Sequence, residues 1–348
     1  MTTITAAFMS VTLVGCGVRL ETAPPQELVP DPNEISRTAM VNDLLITQEV
    51  ANSVAASDAT TKIIKRADTI SQDAAAQEDA LGGVYLSGIN KDTDEAQASP
   101  LNTTAAPTPT SGSAEPTESP EYSSPEDLLT QLLSSSNRIR ASLDIPEDGE
   151  LARLYGSIAI NQLITAQSFA KTARVSFALP EDFTHTQWTH ANAAPNDSTL
   201  LSFITNEDAT GYALEVIAAM SDTDEQAPIQ KMAADHRRQA EFLAQLAEVS
   251  GTAQDPRKVA YELPFTLAAD QPRASKKERT ALARELELTL AKDYLGYIPQ
   301  AAPIARADLL NLATSRTFYA QFWGEKFELF PLIDGTPTIQ VPTQTPEQ

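Results

Sequence analysis

The residues of this chain best able to do chemistry are two glutamates, a histidine and an arginine spread over its C-terminal half: Glu207, His236, Glu287 and Arg316. Two carboxyl groups and an imidazole are a donor set for one divalent metal ion or a proton relay, and a guanidinium turns the same set into a self-compensating ion network. Each residue lies on an apolar stripe at helical spacing. Glu207 runs with Leu200, Ile204, Gly211, Leu214 and Ala218; His236 with Ile229, Met232, Ala233, Ala240, Leu243, Leu246 and Ala247. Glu287 runs with Ala283, Leu290 and Tyr294, and Arg316 with Leu309, Ala313, Ala320 and Phe327. All four should point inward, where a charge has to be paired. A buried polar network that sets helix register is the leading expectation, ahead of a metal or proton-transfer site.

The remaining histidines are weaker candidates. His185 and His190 fall in a Pro-bounded connector, and although Asp182 precedes His185 by three residues, that interval is not on a helix. They read as solvated or loop-capping side chains. A di-iron bundle needs a Glu from each of two helices and Glu-x-x-His from each of two others, whereas Ala233 stands three before His236 and the final helix has no histidine. No metal and no cofactor is expected.

The single cysteine, Cys16, follows an uncharged run from Ile4 to Gly15 that is too short to span a bilayer. Leu13-Val14-Gly15-Cys16 resembles the bacterial lipobox, which implies a signal peptide over residues 1–15 and acylation of Cys16, with palmitate-like chains anchoring the protein on the extracytoplasmic face of the cell membrane. No Lys or Arg precedes Cys16, so translation is expected to start upstream.

Positioning these residues falls to helices. Alanine and leucine are abundant, while only 13 residues are glycine. After a tether over 16–32, Asp31-Pro32-Asn33-Glu34 reads as a cap, a first-turn proline and a capping-box acid opening a helix to about Ala56. Asp58 is placed to cap a second helix that ends at Gly82-Gly83. Residues 87–123 turn to Ser, Thr, Ala and Pro and are expected to be a disordered insert. Ser124-Pro125 opens a third helix, and a fourth runs from near Glu147 to Val175. These make an N-terminal bundle over 33–175. A connector over 176–198 leads to four more helices, about Thr199–Met220, Glu225–Val249, Lys276–Ile298 and Ile304–Phe330, and a disordered tail is expected over 331–348.

The long crossover between the sixth and seventh helices is the connection that ferritin-like bundles use. The expected fold is therefore all-α: two helical bundles, the C-terminal one, over 199–330, a ferritin-like four-helix bundle. Glu207, His236-Arg237-Arg238, Tyr261-Glu262-Leu263-Pro264 and Leu286-Glu287 carry a more specific likeness. With the hairpin ending Leu81-Gly82-Gly83-Val84-Tyr85, the chain resembles actinobacterial lipoproteins with a ferritin-like domain of unknown function. That resemblance implies a fold and a cellular address, and no activity.

Composition narrows the partners. Asp and Glu outnumber Lys and Arg 47 to 25, and a net charge of -22 argues against nucleic acid. Nucleophile elbows, phosphate-binding glycine loops and cysteine pairs are missing from the sequence. The expected function is that of a membrane-anchored envelope lipoprotein of unknown biochemical activity, a binding or scaffold component more than an enzyme, with an envelope protein partner. The alternatives are a divergent metal-binding ferritin-like oxidoreductase and a carrier whose inter-bundle cleft near Trp188 takes a small ligand.

Overall fold

Asp31 ends the extended chain and starts the first helix, its carboxylate accepting the Glu34 amide at 2.8 Å. The computed structural model describes residues 30–84, 124–265, 274–335 and 337. The Cys16 segment, the insert and most of the C-terminal tail lie outside the described residues. Among those described there are eight α-helices and no strand. In chain order they are α1 (Pro32–Ala55), α2 (Thr61–Ala80), α3 (Pro125–Ala141), α4 (Gly149–Ala173), α5 (Asp197–Ala219), α6 (Thr223–Leu246), α7 (Lys276–Tyr297) and α8 (Arg306–Phe322).

Local chemistry explains most boundaries. Ser124 and Asp127 form a reciprocal capping box for α3, and Ser275 and Glu278 do the same for α7. Gly82 and Gly83 take the left-handed backbone that closes α2, at φ 85° and 69°. Arg37, buried on α1, reaches across to donate to the Leu81 carbonyl at 3.0 Å, supplying one of the acceptors' missing partners at that helix end. Beyond shifts of one to three residues at several helix ends, two features differ from the sequence expectation. Thr60, not Asp58, is the N-cap of α2. The last helix stops at Phe322, where Gly324 turns the chain at φ 90°, so Phe327 and Phe330 are not helical. Phe330 and Leu332 nevertheless return to the core from irregular chain, and the Pro331 carbonyl accepts from Ser157 at 2.7 Å.

Consecutive helices pack in pairs, α1 with α2, α3 with α4, α5 with α6 and α7 with α8; α1 also meets α3, and α5 meets α7. The two sets of four share an interior. One apolar cluster includes Leu44, Ile139, Tyr155, Leu163, Phe203, Leu243, Leu290 and Leu309, drawn from both. The element that joins them is α4, with 15 of its 25 residues buried, which is the pattern of a helix covered on nearly every side. Two smaller clusters lie apart from this one. One, around Val54, Ile70, Leu132 and Phe169, fills the first set; the other, around Leu214, Ile229, Met232 and Trp323, fills one end of the second.

Candidate functional site

Helices α5 to α8 each contribute one charged side chain to a single point in the interior of the second set. Glu207, His236 and Glu287 are fully buried, and Arg316 is 2% exposed. The approach of α5 to α6 that permits this depends on Gly211, one turn beyond Glu207. A Cβ there would stand 3.0 Å from Arg237 Cδ and 3.3 Å from the Ala233 carbonyl oxygen.

The imidazole of His236 bridges the two acids. Its Nδ1 lies 2.6 Å from Glu207 Oε2 and its Nε2 lies 2.9 Å from Glu287 Oε1. Arg316 donates from Nε to Glu207 Oε1 at 3.0 Å, and from Nη2 to both Glu207 oxygens at 2.9 Å. Tyr294, one helical face along from Glu287, completes the shell by donating its hydroxyl to Glu207 Oε1 at 2.6 Å. Glu207 therefore holds three side chains, whereas Glu287 Oε2 is buried with no hydrogen-bond partner among the described residues.

Electrostatics follow this geometry. Burial alone would raise the Glu207 carboxyl, but the Arg316 guanidinium and the His236 ring outweigh it and hold it near 2. Burial and the Arg316 charge push His236 down, while Glu287 and Glu207 push it up and prevail, which favours the protonated ring with one nitrogen facing each acid. Burial, with Glu207 adding to it, raises the Tyr294 phenol well above its usual range. The cluster sets two cations against two carboxyl groups.

Such an arrangement is poorly suited to a metal ion. Both nitrogens of His236 already face carboxyl oxygens, and Arg316 already supplies positive charge to the acid with the most donors. Among the described residues no group of three or more His, Cys, Asp or Glu side chains is arranged to hold a metal ion.

Two neighbouring contacts were not anticipated from the sequence. Asp208, next to Glu207 but turned to the α6 side, accepts from Arg237 at 2.6 Å and from the Tyr261 hydroxyl at 2.7 Å, pinning the crossover onto α5. Burial and this acceptor push the Tyr261 phenol up to about 12. Tyr319, whose ring centroid is 6.0 Å from that of His236, donates to Asp235. The only cue to Asp208 was its position beside an acid already placed on the inner face.

The connector histidines separate. His185 is exposed, while His190 sets Nδ1 3.1 Å from Oδ2 of the buried Asp308 at the start of α8. Thr189 donates to the same carboxylate through its amide at 2.8 Å and its hydroxyl at 3.0 Å. Trp188 is buried beside them and donates its indole N–H to the His190 carbonyl at 2.9 Å. His185, Thr189, His190 and Asp308 edge a cleft of about 310 Å³, lined also by Arg140 and Asp144 of the α3 end and by Ile304.

Residues 199–334 match the sequence profile of a family described as Domain of unknown function (DUF4439), a span that takes in α5 from its third residue and the whole of α6 to α8, and with them every member of the buried cluster. No curated protein and no solved structure is similar enough to the chain to match.

Proposed function

We propose that the chain is an exported lipoprotein, acylated at Cys16 and held on the extracytoplasmic face of the cell membrane, whose helical body is a binding or scaffold component. Its second helical set is read as a ferritin-like bundle without a di-iron centre, in keeping with the likeness to actinobacterial lipoproteins. The observation that carries the non-redox part is the ion cluster: His236 is held by both acids and Arg316 by Glu207, so that among the described residues only Glu287 Oε2 of the two carboxyl groups is unpaired where a ferritin-like bundle would carry metal. The lipobox-like Leu13-Val14-Gly15-Cys16 supports the address. Among the described residues no helix is long and apolar enough to cross a membrane.

Fatty-acid labelling tests the address. Cys16→Ser should lose label and membrane sedimentation together, and label that survives the substitution would sink the reading. Elemental analysis tests the rest: the purified protein should carry well under one iron per chain. Stoichiometric iron or manganese that survives dialysis and vanishes in His236→Ala would put the oxidoreductase alternative first.

A second reading, the small-ligand carrier, is favoured by the cleft beside Trp188. There the buried Asp308 fixes His190 through Nδ1 and leaves Nε2 for a ligand. Saturable binding that is lost in His190→Ala would support it.

A further inference from the structure

A second cavity, of about 290 Å³, opens at the end of the α5–α8 set where α6 and α7 begin and α8 ends. It lies away from the ion cluster: Trp323 follows Arg316 by seven residues and Ile229 precedes His236 by seven, or about 10 Å along each helix. Its apolar wall is Ile217, Ile229, Phe322 and Trp323, with Phe322 52% exposed although it stacks edge-on against Trp323 at 5.1 Å. Trp323 itself is only 8% exposed, and its indole Nε1 is buried with no hydrogen-bond partner. A buried donor left in that state is costly, and an acceptor arriving with a ligand would relieve it once the ring turns to bring the nitrogen, buried as it stands, to the cavity.

The rim has charge to match. Arg279 donates from Nη1 to the Ala274 carbonyl at 2.6 Å and, among the described residues, has no partner for Nε and Nη2. Lys276 forms an ion pair with Glu225 across the opening. One guanidinium with free donors, one indole N–H and an apolar wall form a site of the usual ligand-binding type, at the small end of the range of roughly 300–1,000 Å³.

We propose that this cavity binds a small amphipathic monocarboxylate, its carboxylate taken by Arg279 and the Trp323 indole and its apolar body laid against Ile217, Ile229 and Phe322. Glu225 is the opposing group: by holding Lys276 and adding negative charge at the rim, it limits affinity. This site rests on no feature of the cleft beside Trp188, nor on the membrane anchor.

Calorimetric titration of the purified full chain with decanoate, and with decanol as the uncharged probe, tests the proposal. Decanoate should bind saturably and decanol at least about tenfold more weakly, since a charge-assisted hydrogen bond is lost. Arg279→Gln and Trp323→Phe should each weaken decanoate by about tenfold, while Glu225→Gln should strengthen it. Thermal unfolding of each variant establishes that it is folded. If Trp323→Phe does not fold, Arg279→Gln and Glu225→Gln decide the matter, since both change rim side chains. Absence of decanoate binding, equal binding of decanol, unchanged affinity in Arg279→Gln, or weaker binding in Glu225→Gln would each overturn it.

Discussion

Arg316 grips Glu207 across the second helical set with three hydrogen bonds of 2.9 to 3.0 Å, in an interior where neither side chain reaches solvent beyond 2%. The pair is the anchor of the cluster, and His236 extends it to a second acid. Buried ion pairs add little net stability against an apolar replacement, yet breaking one partner out leaves an uncompensated charge.

Arg316→Met should accordingly destabilise the protein by about 3–5 kcal/mol, and Arg316→Met with Glu207→Gln should recover a large part of that loss. Urea unfolding of the two single variants and the double measures the coupling. Additive losses would mean that the two side chains do not act as a pair.

The cluster also predicts a pH optimum for stability. Glu207 is held near 2 from an ordinary value of 4.5, so its contribution is complete above about 4.5 and is lost as pH falls toward 2. His236 is raised above its ordinary 6.5, so its contribution is complete below that value and is lost as pH rises through the elevated one. Stability should peak between these limits, and His236→Gln should flatten the alkaline side. Midpoints of urea unfolding taken across pH check both limbs; a wild-type alkaline limb no steeper than the variant's would contradict the assignment of His236.

The Asp208 contact ties the crossover down. Asp208→Asn should bring the Tyr261 phenol back from about 12 toward its usual 10, and protease cleavage within residues 250–265 should accelerate as the tie weakens. Ultraviolet difference titration and limited proteolysis measure the two effects. An unchanged rate of cleavage would show that other contacts hold the crossover.

Two glycines make opposite predictions. A Cβ on Gly149 would lie 2.5 Å from the Pro299 Cα, backbone that cannot swing aside, so Gly149→Ala should cost about 1–3 kcal/mol. Gly296 is an exposed glycine inside α7 with nothing within 4 Å of a Cβ, so Gly296→Ala should stabilise by about 0.5–1 kcal/mol. Thermal unfolding of both variants, side by side, checks the contrast in sign.

What could be read from the sequence was whatever repeats within a helical turn or is decided by near neighbours. The 3.6-residue stripes set Glu207, His236, Glu287 and Arg316 on inner faces, and Ser124 and Gly82 mark helix ends through bonds to residues a few positions away. Apolar spacing also carried α8 too far, because Phe327 and Phe330 keep to the stripe while Gly324 has already turned the chain out of the helix. Pairing belonged to the tertiary structure alone. That His236 takes both acids, that Arg316 takes only Glu207, that Tyr261 reaches Asp208 from 53 residues away and His190 reaches Asp308 from 118, depends on the rotation and approach of packed helices and on irregular connectors. Periodicity says which side of a helix is buried; only the close packing of four helices against one another says which nitrogen meets which oxygen there.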